Sequence, residues 1–404
     1  MPLDLIATSA APPTLIRNAN VFAPEPLGLR QVLIGGGKIL WIGEADAPAP
    51  SIPGLQTLDA GGRRLMPGLI DGHAHITGGG GEGGFATRVP PVPLSRFTRA
   101  GVTTVVGTLG TDDLARSPGE LLASAYALRE QGLSAFVWCG GYHLPSATLT
   151  GSVRGDIVYL DPVIGAGELA ISDHRSSQPT FDEFVRVASE CHVAGLMSGK
   201  AGVLHLHLGD GPRGLELVRR ALDDTELPPS VFQPTHVNRR KALFEEAVAL
   251  ARRGVRIDVT AFPVEDGEDA WSAADAWEFY RAAGAPPTHL TISADAGGCL
   301  PHFDGDGRLC RMDVGASQAL PDTIQALLAR GHALEAVLPA FTRNVAATLR
   351  LVGKGEIAVG ADADLVVLDD DAGAADVMAR GLWHVRDGVA VRAGLFERAE
   401  ADRR

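Results

Sequence analysis

The sequence predicts a (β/α)8 barrel carrying a small β-sandwich built from both ends of the chain. Three observations predict it. Strand-like and helix-like segments alternate through the middle of the 404 residues, glycine-broken β-rich runs occupy both ends, and polar residues recur where predicted strands stop.

The first element is the N-terminal half of the sandwich. From Pro13 to about Leu65 the runs TLIRNANVF, RQVLIGGGKILWIG and TLDAGGRRLMPG alternate apolar and polar residues between glycine turns. The texture returns in GEIAVGADADLVVLDD and GLWHVRDGVAVRAG, which supply the second half. Residues 1–66 and 351–404 are accordingly assigned to the sandwich and 67–350 to the barrel.

Barrel strands are predicted at Leu69–Ile76, Val102–Thr108, Ala135–Gly140, Leu169–Ser172, Val203–Leu208, Phe232–His236, Arg256–Thr260 and Leu290–Asp295. Most are followed by helical stretches such as GELLASAYALREQG and KALFEEAVALARRG. A doubly wound open sheet shows the same alternation, so the number of strands decides between the two. The TGGGGEGG segment after the first strand is a candidate substrate loop; it lacks the Lys-Ser/Thr ending and the helix of a phosphate cradle.

Composition limits what such a barrel can serve. With 36 Lys+Arg against 49 Asp+Glu the formal net charge is −13, which opposes binding to nucleic acid or an anionic membrane. No segment approaches the roughly 18 uninterrupted apolar residues of a membrane helix. The opening MPLDLIATSAAPPT has small residues but no basic region, so no secretory signal is read there. Cys139, Cys191, Cys299 and Cys310 form no C-x-x-C pair, which argues against a thiolate zinc site or a disulfide framework and fits a reducing cytoplasm.

The chemistry concentrates at strand ends. His73 and His75 in LMPGLIDGHAHITGG are spaced i, i+2, so a strand places both imidazoles on one face. Glu168 falls at strand four, His207 at strand five, His236 at strand six and Asp295 at strand eight. Catalytic residues of a (β/α)8 barrel gather at the C-terminal ends of its strands, and four histidines with two carboxylates there can hold two zinc ions. In strand five, LHLHLG, His205 and His207 share a face; His207 is nearer the end and is taken as the ligand, with His205 inside the barrel.

PGLIDGHAH, single histidines ending strands five and six, and Asp on strand eight resemble the amidohydrolase superfamily. GGGGEGG, PLSRFTRAGVTTVVG, LGTD, YHLPS, TGSV, AISDHRS, HLGD, PTHVNR and GKGEI resemble the isoaspartyl dipeptidases, or β-aspartyl peptidases, over most of the chain. The resemblance implies that His73, His75 and Asp295 bind one zinc, that His207 and His236 bind the other, and that Tyr142 polarises the scissile carbonyl. It also implies that Glu82 meets the substrate ammonium, that Arg175 and Arg239 pair with substrate carboxylates, and that Gly80 and Thr111 contact substrate. A homo-oligomer is implied too, with an octamer as the size the family suggests.

Two positions depart from the family. Its usual strand-four lysine, whose carbamate bridges the metals, is replaced by Glu168. That carboxylate lies on the order of 3–4 Å nearer its Cα, so the strand must move inward or the metals must move. One extra residue in VIGAGEL is a candidate bulge for this. Cys299 stands where the family has a substrate-contacting serine, and a thiol is the weaker donor.

The function expected is zinc-dependent hydrolysis of β-aspartyl dipeptides by a metal-bridging hydroxide, with Asp295 as base and Tyr142 as electrophile. The alternatives are another amide, such as an N-acyl amino acid, hydantoin or dihydropyrimidine, and a catalytically silent scaffold on the same barrel.

Overall fold

A computed structural model describes residues 11–303 and 309–397, with side chains of 301–310 left aside. Strands β1 (Thr14–Phe22), β2 (Pro26–Gly35), β3 (Lys38–Glu44), β4 (Gln56–Asp59) and β5 (Arg64–Pro67) come first. Eight further strands follow: β6 (Leu69–Ala74), β7 (Val102–Gly107), β8 (Ser134–Cys139), β9 (Val163–Ile171), β10 (Val203–Leu208), β11 (Phe232–Thr235), β12 (Ile257–Thr260) and β13 (Leu290–Ser293). The hairpin β14 (Cys299–Phe303) and β15 (Leu309–Val314) precedes β16 (Leu365–Leu368), β17 (Ala374–Ala379), β18 (Leu382–Arg386) and β19 (Val389–Ala390).

Strands β6 to β11 form a continuous parallel sheet, and β12 pairs with β13 in parallel. Closure comes at the Ala74–Ala296 bridge, where the His75 N–H donates to the Ala296 carbonyl at 2.7 Å. The result is the predicted TIM-like barrel. Its helices include α1 (Leu94–Thr98), α2 (Pro118–Glu130), α3 (Val153–Tyr159), α4 (Phe181–Ser198), α5 (Glu216–Asp224), α6 (Lys241–Arg252) and α7 (Ala273–Ala282). The start of α4 is written locally: Thr180 and Glu183 form a reciprocal capping box. Beneath the barrel, Ile70, Val106, Trp138, Ile164 and Val203 pack against Val345, Leu349 and Leu351, closing its N-terminal end with apolar side chains.

The outer strands β1 to β5 and β16 to β19 make one mixed sheet. Its two contributions meet where β5 runs antiparallel to β16, Leu65 facing Val367. Ile16, Val32, Ile34, Ile39, Leu65, Leu365 and Met378 form its own apolar core. Among the described residues no helix is long and apolar enough to cross a membrane.

Two corrections apply to the predicted strands. The fourth begins at Val163, six residues before the predicted Leu169, because the glycines of VIGAG hide the pattern of a fully buried strand. The hairpin β14–β15 was not expected at all; its sequence carries a proline and no simple alternation.

Candidate metal centre

The C-terminal ends of the barrel strands bring six predicted residues together. His73 lies in β6 and His75 one residue past it; Glu168 is in β9, His207 in β10, His236 follows β11 and Asp295 follows β13. His236 and Asp295 adopt the left-handed conformation, with φ of 60° and 50°. That backbone is uncommon outside glycine and tends to occur where surrounding structure holds a functional side chain in place.

Glu168 stands on an irregularity in β9. Leu204 and Leu206 of β10 face Ala166 and Leu169, so β9 carries one extra residue at this point. Gly167 makes the insertion possible, since a Cβ there would come within 2.7 Å of His205 Cβ.

From this position Glu168 reaches every histidine of the set. Its Oε1 is 3.4 Å from His75 Nε2, while Oε2 is 3.6 Å from His73 Nε2, 3.0 Å from His207 Nδ1 and 3.4 Å from His236 Nε2. Asp295 Oδ1 is 3.4 Å from His73 Nε2 and 3.1 Å from His75 Nε2. Ligands about 2.0–2.2 Å from a tetrahedral zinc are themselves roughly 3.3–3.6 Å apart, so these separations fit shared cations. His73 Nε2, Glu168 Oε1 and Asp295 Oδ1 are also buried without a hydrogen-bond partner. Polar atoms rarely tolerate that, and metal coordination would satisfy all three. Among the described residues the possible ligand groups are His73–His75–Glu168, Glu168–His207–His236 and His73–His236–Asp295.

The electrostatics have the same character. Burial by itself drives the Glu168 carboxyl up, but His73 and His207 reverse this and hold it well below its ordinary 4.5. Burial likewise opposes charge on Asp295, and the His73 and His75 imidazoles facing it keep it ionised. On His73, burial disfavours the cation while Glu168 and Asp295 favour it more, lifting the imidazole to about 10. Burial pushes His236 down to about 3, leaving it neutral and free to offer a lone pair.

His205 is inside the barrel, stacked on Trp138 with ring centroids 4.8 Å apart. Its Nδ1 faces Gln233 Oε1 at 3.2 Å; Gln233 Nε2 donates to Thr291 Oγ1 at 3.2 Å, and that hydroxyl donates to Asp258 Oδ1 at 2.6 Å. Asp258 also accepts from Thr235 and Ser293.

Above the histidines lie the residues expected to meet substrate. Tyr142 Oη is 2.8 Å from His207 Nδ1, and burial raises its pKa well above 10.0, so it stays protonated. Arg175 places Nη2 2.8 Å from Asp173 Oδ2 and Nη1 3.3 Å from Glu82 Oε1. Asp173 was missed by residue-level reasoning although it sits inside AISDHRS; it also lies 3.1 Å from His207 Nε2. Arg239 leans on the Leu208 carbonyl and, at 3.0 Å, on Asp210. Gly80 is buried, bridged to Arg88, and a Cβ on it would meet the Thr87 carbonyl at 2.4 Å. Thr111 is half-buried in the loop after β7. Burial raises the Cys299 thiol to about 11, with Glu82 and Asp295 adding to the effect, and its Sγ is 3.7 Å from Met312 Sδ.

The glycine-rich loop bearing Gly80 and Glu82 is held by a residue no motif indicated. Arg116 is 4% exposed and donates to the carbonyls of Thr77, Gly79 and Val89, tying the outgoing and returning limbs together.

Comparison with known proteins places this geometry. No family-wide sequence model matches the chain. An imidazolonepropionase of Salinispora arenicola is 34% identical over 146 residues, so the chain spans only about a third, 35%, of that curated relative. A dihydropyrimidinase of Brevibacillus agri shares the fold at 18% identity, with a TM-score of 0.62 over 95% of this chain and 97% of that one. The crystal structure of a β-aspartyl dipeptidase from Fervidobacterium islandicum, in complex with β-Asp-Leu, superposes with a TM-score of 0.88, covering 94% of this chain and 98% of that one. With 42% of aligned residues identical across nearly the whole of both chains, this protein belongs to the β-aspartyl dipeptidase family.

Proposed function

We propose that the protein hydrolyses β-aspartyl dipeptides at a two-metal centre held by His73, His75, Glu168, His207, His236 and Asp295. The observation that carries this is the placement of Glu168, whose two oxygens face His75 on one side and His73, His207 and His236 on the other. Two zinc ions bound there would supply Lewis acidity to the scissile carbonyl and lower the pKa of a water toward neutrality.

The chain's own groups do the rest. Asp295, kept ionised, accepts the proton of the attacking water and passes it to the departing amine. Tyr142, kept protonated, donates to the carbonyl oxygen as charge gathers on it. Glu82 and Arg175, now 3.3 Å apart, exchange each other for a substrate ammonium and carboxylate. Arg239 offers a second fork, and Gly80, Thr111 and Cys299 line the approach. A zwitterionic dipeptide with two carboxylates suits this set better than an uncharged hydantoin or dihydropyrimidine. Zinc as the metal, two ions per subunit and a homo-oligomer complete the reading on the strength of the family resemblance, and a cytoplasmic setting rests on the cysteine pattern.

The test is release of leucine from β-Asp-Leu by zinc-replete protein, run beside N-acyl amino acids and hydantoins. Cleavage of β-Asp-Leu with little turnover of the others is expected. Cleavage of another amide alone would overturn the assignment, and a complete lack of bound transition metal would favour a silent scaffold.

A further inference from the structure

His143 follows Tyr142 directly and has no part in the reaction above. Its ring lies between two neighbouring loops. Nδ1 is 2.9 Å from Asp113 Oδ2 in the loop after β7, and Nε2 is 3.1 Å from the Arg175 carbonyl oxygen in the loop after β9. Both facing atoms only accept, and a neutral imidazole has a single N–H to give. The ring nevertheless bridges both acceptors, and the Arg175 guanidinium turns away from it toward Asp173 and Glu82.

The arrangement is built into the backbone. Asp113 Oδ2 also accepts the His143 N–H at 3.3 Å. Gly141 leaves room for it, since a Cβ there would come within 2.5 Å of Asp113 Cβ. On either side the Tyr142 carbonyl accepts from Ala170 N–H at 3.1 Å, and Leu144 N–H donates to Ser177 Oγ at 3.0 Å. Three loops are therefore joined at one imidazole, and two of them carry Tyr142 and Arg175, whose guanidinium carbon lies 5.5 Å from the Tyr142 ring centroid.

We propose that Asp113 and His143 are positioning residues: a hydrogen-bonded strut that fixes Tyr142 and Arg175 relative to one another. This rests on the reading that those two groups act on the same substrate. With His143 37% and Asp113 15% exposed, the pair adds little to global stability. Its effect lies in geometry, where a displacement of about 1 Å can cost on the order of a hundredfold in rate.

The experiment compares zinc-loaded wild type with Asp113→Asn, His143→Gln, His143→Ala and the Asp113→Asn/His143→Ala double variant, using β-Asp-Leu. Expected are a fall in kcat/KM of about tenfold or more for Asp113→Asn and His143→Ala, shared between a lower kcat and a higher KM, and a smaller fall for His143→Gln, which keeps one contact. The double variant should lose no more than the worse single one, because both remove the same strut. Metal content and Tm should stay near wild type. Wild-type activity with all variants within twofold of it would overturn the strut, and so would losses that simply multiply. If wild type itself fails to cleave β-Asp-Leu, the functional reading fails and the strut falls with it, a result distinct from the other two. Should His143→Ala fold poorly, the near-isosteric Asp113→Asn and His143→Gln decide the matter.

Discussion

His205 Nε2 lies 2.7 Å from His73 Nδ1, both side chains fully buried. The direction of this hydrogen bond is fixed from its far end. Thr291 gives its hydroxyl proton to Asp258, so it must accept from the Gln233 amide nitrogen, leaving Gln233 Oε1 to accept from His205 Nδ1. Burial keeps His205 neutral, so its Nε2 has only a lone pair and His73 Nδ1 must be the donor. His73 Nε2 then faces Glu168 and Asp295 as the ring nitrogen available for coordination.

Replacing His205 by Leu should therefore weaken metal binding without touching a ligand. A zinc affinity lowered by about 10–100-fold is expected, measured by competition with a chelator. Unchanged affinity would mean that His73 holds its orientation without this partner.

Glu168→Gln keeps the shape but removes a full negative charge from the middle of the ligand set. At least one metal should bind more weakly and activity should drop. In wild type, activity should not depend on bicarbonate, because no lysine carbamate has to form. Metal stoichiometry and turnover in carbonate-free buffer check both; two tightly held ions and undiminished turnover in the variant would show that Glu168 does not bridge them.

Arg175→Met and Arg239→Met should each lower kcat/KM more than tenfold, about 1.4 kcal/mol. Their stability effects should differ. Asp210, the partner of Arg239, is 70% exposed, whereas removing Arg175 strips Asp173, 3% exposed, of its forked partner. A larger Tm loss is expected for Arg175→Met, and near-normal kinetics for both would make these arginines structural.

The metal-free protein should lose stability between pH 6.5 and about 10. His73 is raised from 6.5 to about 10, so the folded state holds a proton the unfolded chain has already released. Its contribution is complete below 6.5 and is lost as the pH rises through about 10. Burial of Cys139, raised well above 9.0, acts in the same direction at the upper end. Urea unfolding at pH 6.5 and pH 10 measures this, and equal midpoints would contradict the charge assigned to His73.

Much of this was legible in the sequence because strand ends announce themselves. Short apolar runs closed by His, Asp or Gly marked seven of the barrel strands to within a residue or two, and the histidines were found with them. What escaped depends on which residue faces which across strands and loops. The partnership of His205 with His73 joins positions 132 residues apart, and that of His143 with Arg175 joins two loops. The bulge at Gly167–Glu168 was suggested by spacing, but only the pairing with β10 locates it. Neither the left-handed backbone of His236 and Asp295 nor the burial of Arg116 on three carbonyls leaves a mark in composition or periodicity.

The pairing of β5 with β16 has a consequence for how the chain is made. Leu65 meets Val367 only after some 300 intervening residues have been synthesised and the barrel between them has had time to form. Until then β5, paired with β1 on one side only, exposes its other hydrogen-bonding edge to other nascent chains, a hazard natural proteins otherwise guard against. The sandwich thus acts as a late clasp: a ribosome that stalls before β16 releases a barrel whose leading segment is still searching for its last neighbour.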